Sequence, residues 1–307
     1  MKLVSFSVED GAVKGGLWFE NGVLPFDAAA AIIDSSDLDL HSASVLNVVC
    51  SAQSVIDRLT ELDHEVKSGG HSDQLLPLDS LKLLAPIPRP AKNIFCVGRN
   101  YLDHVKEGYK ARGTELKVPE FIQLFSKPPT TVIGTGADIR YDEQLTQKLD
   151  YEAELGLVIG KSGRDIRPEN ALEHIFGYTV INDVTARDLQ RAHDQWFKGK
   201  GLDTSCPMGP WIVTKDEVGD AQNLDIRCTV NGEVRQSSNT AMMIFKLQTI
   251  IAELSRGLTL EAGDIIATGT PSGVGYAMEP PRLLNVGDVV EVSVSGVGTI
   301  RNTVVAA

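Results

Sequence analysis

Apolar and polar positions along this chain change period several times, and most of the changes predict strands. Residues 4–8 and 13–19 predict two short strands joined by a Gly-bearing turn. Residues 51–62 carry Ala52, Val55, Ile56, Leu59 and Leu62 on one helical stripe. Residues 152–160 form a strong strand candidate. Residues 228–234 centre on Asn231-Gly232, the pair that best suits a tight hairpin turn. Val290, Val292 and Val294 alternate with other side chains over residues 288–294, and the chain turns at 296–298 and returns through 300–305. The clearest helix is expected over 241–256, with Ile244, Leu247, Ile251 and Leu254 on its apolar face. Ser238, Asn239 or Thr240 can cap its start and Gly257 can end it.

These elements divide the chain into three parts. Residues 1–70 read as a small N-terminal α+β module. Residues 71–92 read as a linker, stiffened by Pro86, Pro88 and Pro90. Residues 93–307 read as a large catalytic domain, mostly β with some helices. Strands and helices do not alternate regularly there, which disfavours a doubly wound sheet. No internal repeat or low-complexity tract is present in the sequence.

Composition narrows the function. With 42% hydrophobic and 23% charged residues, the chain has the make-up of an ordinary globular protein. No apolar run is long enough to cross a bilayer. The first ten residues turn acidic at once and read as a first strand rather than a secretion signal, and no arginine-rich import leader is visible. Cys50, Cys96, Cys206 and Cys228 lack zinc-like pairing, which suggests reduced thiols in a cytoplasmic protein. A formal charge of -12 without a basic patch argues against nucleic-acid binding. Nothing points to a membrane partner.

Four groups of residues carry candidate chemistry. Glu152 and Glu154 are two apart on a strand, so both carboxylates point to one face while Leu155, Leu157 and Ile159 point to the other. Two anions held that close call for a cation between them, and Mg²⁺, Mn²⁺ or Ca²⁺ would serve. Asp183, at the end of the run Tyr178-Thr179-Val180-Ile181, is the natural third ligand. The alternative is a solvated strand face, with Asp183 capping a helix. If residues 102–107 are helical, His104 and Glu107 share a face, and Glu107 could orient the imidazole as a general base; the alternative is a surface ion pair. Lys200 lies between Gly199 and Gly201, where backbone can approach a ligand and the ammonium could hold an oxyanion or a carboxylate. The alternative is an exposed loop lysine. Finally, Thr268-Gly269-Thr270-Pro271-Ser272-Gly273 follows an apolar strand-like run and can offer donors to an anion. It matches neither a dinucleotide fingerprint nor a phosphate loop.

Taken in order, these blocks resemble the fumarylacetoacetate hydrolase superfamily. The resemblance runs from about residue 93 to 304. It rests on Gly98-Arg99-Asn100-Tyr101 with His104, Asp150-Tyr151-Glu152-Ala153-Glu154, Asn182-Asp183-Val184-Thr185-Ala186-Arg187-Asp188, Gly199-Lys200, Pro207-Met208-Gly209-Pro210-Trp211, Val230-Asn231-Gly232-Glu233 and the loop around Thr270. It implies a mixed β-sandwich roll, a homodimer, and an Mg²⁺ or Mn²⁺ ion on Glu152, Glu154 and Asp183. It further implies that Lys200, His104 and Glu107 are catalytic, the last two on a lid segment, and that Arg99, Gln190 and Thr270 bind substrate. The implied substrate is a small anionic 2-oxo acid. Hydrolysis of a C–C bond in an acylpyruvate or related 2,4-dioxo acid is the first expectation. Oxaloacetate decarboxylation, then isomerisation or dehydration of a 2-oxo acid, are the alternatives. A non-catalytic protein that keeps the fold is an alternative of another class, and a nicotinamide oxidoreductase is disfavoured for want of a fingerprint.

Overall fold

The computed structural model of the chain describes residues 1–8, 11–33 and 43–307. Its main feature is a mixed sheet that joins the N-terminal strands to strands from the middle and later parts of the sequence. In order across the sheet lie Gly22–Pro25, Lys14–Phe19, Lys2–Ser7, Cys206–Thr214, Ile175–Asn182, Ala153–Ile159, Ile265–Ala267, Ile94–Gly98 and Gln123–Lys127. The N-terminal strands enter this sheet through Lys2–Ser7, which pairs antiparallel with Cys206–Thr214. A second sheet holds Glu233–Asn239, Asp225–Val230, Val289–Val294, Gly298–Ala306 and Ile139–Tyr141.

Two apolar layers hold the sheets in place. Leu155, Leu157 and Ile159 point from the central strand into one core, where they meet Ile226, Cys228, Val292, Val294 and Ile300 of the second sheet. Leu247, Ile250, Ile251 and Leu254 of helix Leu247–Ser255 close that layer. Val158, on the opposite face of the same strand, packs into a second core with Leu3, Leu17, Leu59 and Leu62 from the N-terminal elements. Every position of strand Ala153–Ile159 is therefore buried. Alternation puts Glu154 on the face of Val158, so the carboxylate points into the protein rather than toward water.

Most local expectations hold. Helix Gln53–Lys67 buries Val55, Leu59 and Leu62 as the stripe predicts, and continues beyond Leu62 to Lys67. Asn231 and Gly232 both take left-handed φ, 52° and 80°, at the predicted hairpin. One helix is shorter than expected. Residues 241–246 do not join helix Leu247–Ser255; the first of them belong to a 3-10 turn over Thr240–Met242, capped by Asn239. The segment is diverted because Asn100 holds its backbone. The Ile244 amide donates to the Asn100 carbonyl (2.7 Å) and the Phe245 amide to the Asn100 side chain (2.7 Å). Ile244 thus leaves the predicted apolar face. Gly257, with φ 70°, follows the helix end as expected.

Candidate metal centre and active site

Strand Ala153–Ile159 and its neighbour Ile175–Asn182 bring the acidic residues together. Ala153 pairs with Asn182, so Glu152 and Asp183 sit side by side just beyond the ladder, and the Asp183 amide donates to the Glu152 carbonyl (2.9 Å). Glu152, Glu154 and Asp183 each offer a carboxylate oxygen within 4.8 Å of the others, and all three are buried. An all-oxygen donor set of this charge fits a hard divalent cation.

The protein balances these anions unevenly. Lys200 Nζ lies 2.8 Å from Glu152 and 2.5 Å from Asp183. Arg187 adds a 2.6 Å contact to Glu152, and Lys127 a 2.8 Å contact to Asp183. Burial alone would raise the Glu152 pKa, but Lys200 and Arg187 outweigh it and hold the carboxyl below the usual range. Among the described residues Glu154 has no such cation in contact. Burial, with Asp183 and Glu152 close by, pushes its carboxyl well above the ordinary value. The Gly269 amide donates to its Oε2 at 2.8 Å. Gly269 has φ 98°, and a Cβ there would lie 2.7 Å from Asn100 Cβ, so only glycine brings this amide so close.

A cavity of about 260 Å³ opens over the carboxylates and is lined by Arg99, His104, Gln190, Lys200 and Thr270 as well as Glu152 and Glu154. His104 and Glu107 lie on helix Leu102–Arg112, as their spacing predicts, with Nδ1 2.8 Å from Glu107 Oε1. The other Glu107 oxygen accepts from the Gly273 amide (2.8 Å), which ties the helix to the loop that carries Thr270. Gln236 fixes that loop from the second sheet by donating to Thr270 Oγ1 (2.8 Å) and the Pro271 carbonyl (2.9 Å). Gln190 accepts from Arg187 at 3.3 Å. All the predicted site residues thus meet around one cavity, except that Glu107 and Asp183 stand directly behind its wall.

The surroundings of Lys200 differ from expectation. The residue ends the short helix Phe197–Lys200 and is 1% exposed, so it is not a loop lysine. Its flanking glycines serve packing rather than ligand approach. A Cβ at 199 would lie 2.5 Å from the Gln190 amide nitrogen, and one at 201 would lie 2.7 Å from the Phe197 carbonyl oxygen. The structure also adds residues that spacing did not single out. Lys127 is completely buried and donates to the Val184 carbonyl (3.2 Å) and to the Lys200 carbonyl. Asp150 receives Arg187 Nε (2.8 Å) together with the amides of Tyr151, Gly275 and Tyr276, so it aims Arg187 at Glu152. Asp150 and Arg187 stood within the quoted blocks, but nothing in their spacing assigned them this task. Among the described residues no helix is long and apolar enough to cross a membrane.

Comparison with known proteins agrees with this arrangement. Residues 93–305 match the family described as fumarylacetoacetate (FAA) hydrolase C-terminal. Oxaloacetate tautomerase YisK of Bacillus subtilis is 50% identical over 227 residues, 74% of each chain. The mitochondrial oxaloacetate tautomerase fahd2 of Xenopus laevis is 40% identical over 309 residues, covering 99% of this chain and 90% of that protein. Maleylpyruvate hydrolase from Sphingobium sp. SYK-6, solved with manganese(II) and pyruvate, is 26% identical and superposes with a TM-score of 0.76 over the whole of both chains. The carboxylate triad and this manganese-bound relative both fit a divalent metal. Since the matched span contains every residue that builds the cavity, the chain belongs to the fumarylacetoacetate hydrolase family, whose sheet-rich fold it shares.

Proposed function

We propose that this protein is a divalent-metal-dependent enzyme for small 2-oxo acids, and that its reaction is the keto–enol interconversion of oxaloacetate. The observation that carries the proposal is the His104–Glu107 pair set against three buried carboxylates around one small cavity. Glu107 accepts a hydrogen bond from His104 Nδ1–H, which leaves Nε2, without a protein partner among the described residues, as the basic nitrogen. That nitrogen removes a proton from C3, next to the 2-oxo carbon. The C–H electrons form the C2–C3 double bond, and the same imidazole returns the proton to the 2-oxo oxygen. Glu107 stabilises the imidazolium that exists between the two transfers. Lys200 keeps Glu152 ionised and pairs with Asp183, and Gln190 and Thr270 offer polar contacts to the substrate head. Glu152, Glu154 and Asp183 would hold Mg²⁺ or Mn²⁺, which supplies Lewis-acid stabilisation of negative charge developing on the 2-oxo group. The relatives that are oxaloacetate tautomerases support this choice of reaction.

Hydrolysis of an acylpyruvate is the second reading, favoured by the same dyad and by the maleylpyruvate hydrolase relative. There His104 would take its proton from water that adds to the distal carbonyl. The C–C bond then breaks to give a carboxylic acid and the enol of pyruvate. One panel separates the readings: relaxation of the oxaloacetate enol by ultraviolet absorbance, pyruvate release from oxaloacetate, and cleavage of acetylpyruvate and fumarylpyruvate, each with Mg²⁺ or Mn²⁺. The proposal requires the first to be accelerated most. Unaccelerated relaxation alongside efficient cleavage of acetylpyruvate would replace it with the hydrolase reading.

A further inference from the structure

We infer that Arg99, Arg112 and Arg191 form a rim that reads a second carboxylate, so that the site selects dianionic 2-oxo acids over those with a neutral tail. The inference rests on the function proposed above and adds the residues that set its substrate class.

The charges of the inner site leave these arginines surplus. Asp150, Glu152, Glu154 and Asp183 face Lys127, Lys200 and Arg187, and Glu107 adds a fifth carboxylate behind the wall, which leaves two negative charges when all are ionised. A dication balances these two, and the single carboxylate of a 2-oxo acid head then calls for one more positive charge. Arg99, Arg112 and Arg191 line the same cavity and bring three, two more than the inner site and that head need. None of them forms an ion pair or a side-chain hydrogen bond among the described residues, although the chain carries a formal charge of -12 and offers acidic partners widely.

Aromatic rings, not anions, hold them at the cavity. Arg99 and Arg112 both stack on Tyr109, at 5.7 and 4.7 Å, and Arg99 also meets Trp196 at 5.6 Å. Arg191 stacks on Tyr276 at 5.1 Å, beside the buried Arg187 at 4.5 Å. Such contacts fix a guanidinium in place while leaving its N–H groups unused. Two guanidiniums on one ring repel each other, and a carboxylate that takes N–H donors from both removes that repulsion. Backbone strain agrees. Arg99 has φ 56°, a conformation that non-glycine residues rarely adopt, at the junction of strand Ile94–Gly98 and helix Leu102–Arg112. Before it, Gly98 leaves room for Trp196, because a Cβ there would lie 2.5 Å from the indole.

Oxamate and N-oxalylglycine test this directly. They share an unreactive 2-oxo acid head and differ in the distal carboxylate. Calorimetry on the Mn²⁺-loaded protein, with Arg99→Gln, Arg112→Gln and Arg191→Gln variants, reads binding without turnover. The wild-type protein should bind N-oxalylglycine more tightly than oxamate. At least one variant should lose about tenfold or more of the N-oxalylglycine affinity while that for oxamate stays nearly constant. Equal affinity for both ligands in the wild type, or parallel losses in the variants, would overturn the rim and leave the proposed function standing. Binding of neither ligand would overturn both.

Discussion

Glu154→Gln isolates the metal centre with little disturbance of the fold. Glu154 is 1% exposed, and its carboxyl is pushed toward the neutral form by burial and by Asp183 and Glu152. In the metal-free protein a glutamine amide therefore replaces a carboxyl of nearly the same shape whose charged form is disfavoured, and its carbonyl can keep the Gly269 amide bond. The metal-loaded protein is different, because one of three anionic ligands is gone. Removing one partner from a buried charge pair typically costs about 3–5 kcal/mol. Part of the full Coulombic attraction is already spent on ionising Glu154 beside two other carboxylates, so the lower half of that range applies. At 1.4 kcal/mol per factor of ten, Mn²⁺ affinity should fall by roughly 10²- to 10³-fold. Calorimetric titration with Mn²⁺ measures the loss, and the melting temperature in excess chelator checks the fold. Undiminished Mn²⁺ affinity in a folded variant would refute the ligand assignment. A large drop in metal-free melting temperature would refute the reading that burial and the neighbouring carboxylates disfavour the Glu154 charge.

Three further outcomes follow from the same geometry. The raised Glu154 pKa means that metal must displace a proton below that pKa, so Mn²⁺ affinity should rise with pH and level off once Glu154 is ionised. Calorimetry in buffers of different ionisation enthalpy should detect the released proton, and pH-independent binding without proton release would contradict this. His104→Ala should lower kcat for tautomerisation on the order of 10²- to 10⁴-fold without weakening Mn²⁺ binding, and Glu107→Gln should follow it more mildly; unchanged kcat would remove His104 from the chemistry. Lys127→Met strips a fully buried cation from Asp183 and two carbonyls. Denaturant unfolding should show a loss of about 3–5 kcal/mol, and near-native stability would show that the ammonium is not needed there.

Much of this site could be read from residue spacing, because its geometry is local. Two carboxylates two apart on a strand must share a face, and a histidine and glutamate three apart on a helix must meet. Both pairs do so. The balancing cations were less legible. Lys127 reaches Asp183 across 56 positions, and its neighbour Pro128 gives it the look of a loop lysine. Gly199 and Gly201 were read as ligand-facing because sequence does not say which backbone lies opposite them; Gln190 and Phe197 do. The start of helix Leu247–Ser255 was misplaced for a similar reason. Its apolar period continues back to Ile244, and only the long-range bonds to Asn100 break it. The inward direction of Glu154 also depended on packing. An E-x-E pair with one apolar face suits a solvated sheet equally well, until the N-terminal elements cover the other face.

The proposed function requires a divalent cation on Glu152, Glu154 and Asp183 for turnover of a 2-oxo acid. The most direct test removes bound metal with chelator, dialyses the chelator away, and follows oxaloacetate enol relaxation as Mn²⁺ is added back. Activity should vanish on removal and return in proportion to Mn²⁺ until one ion is bound per chain. Full activity in the stripped protein would contradict the account.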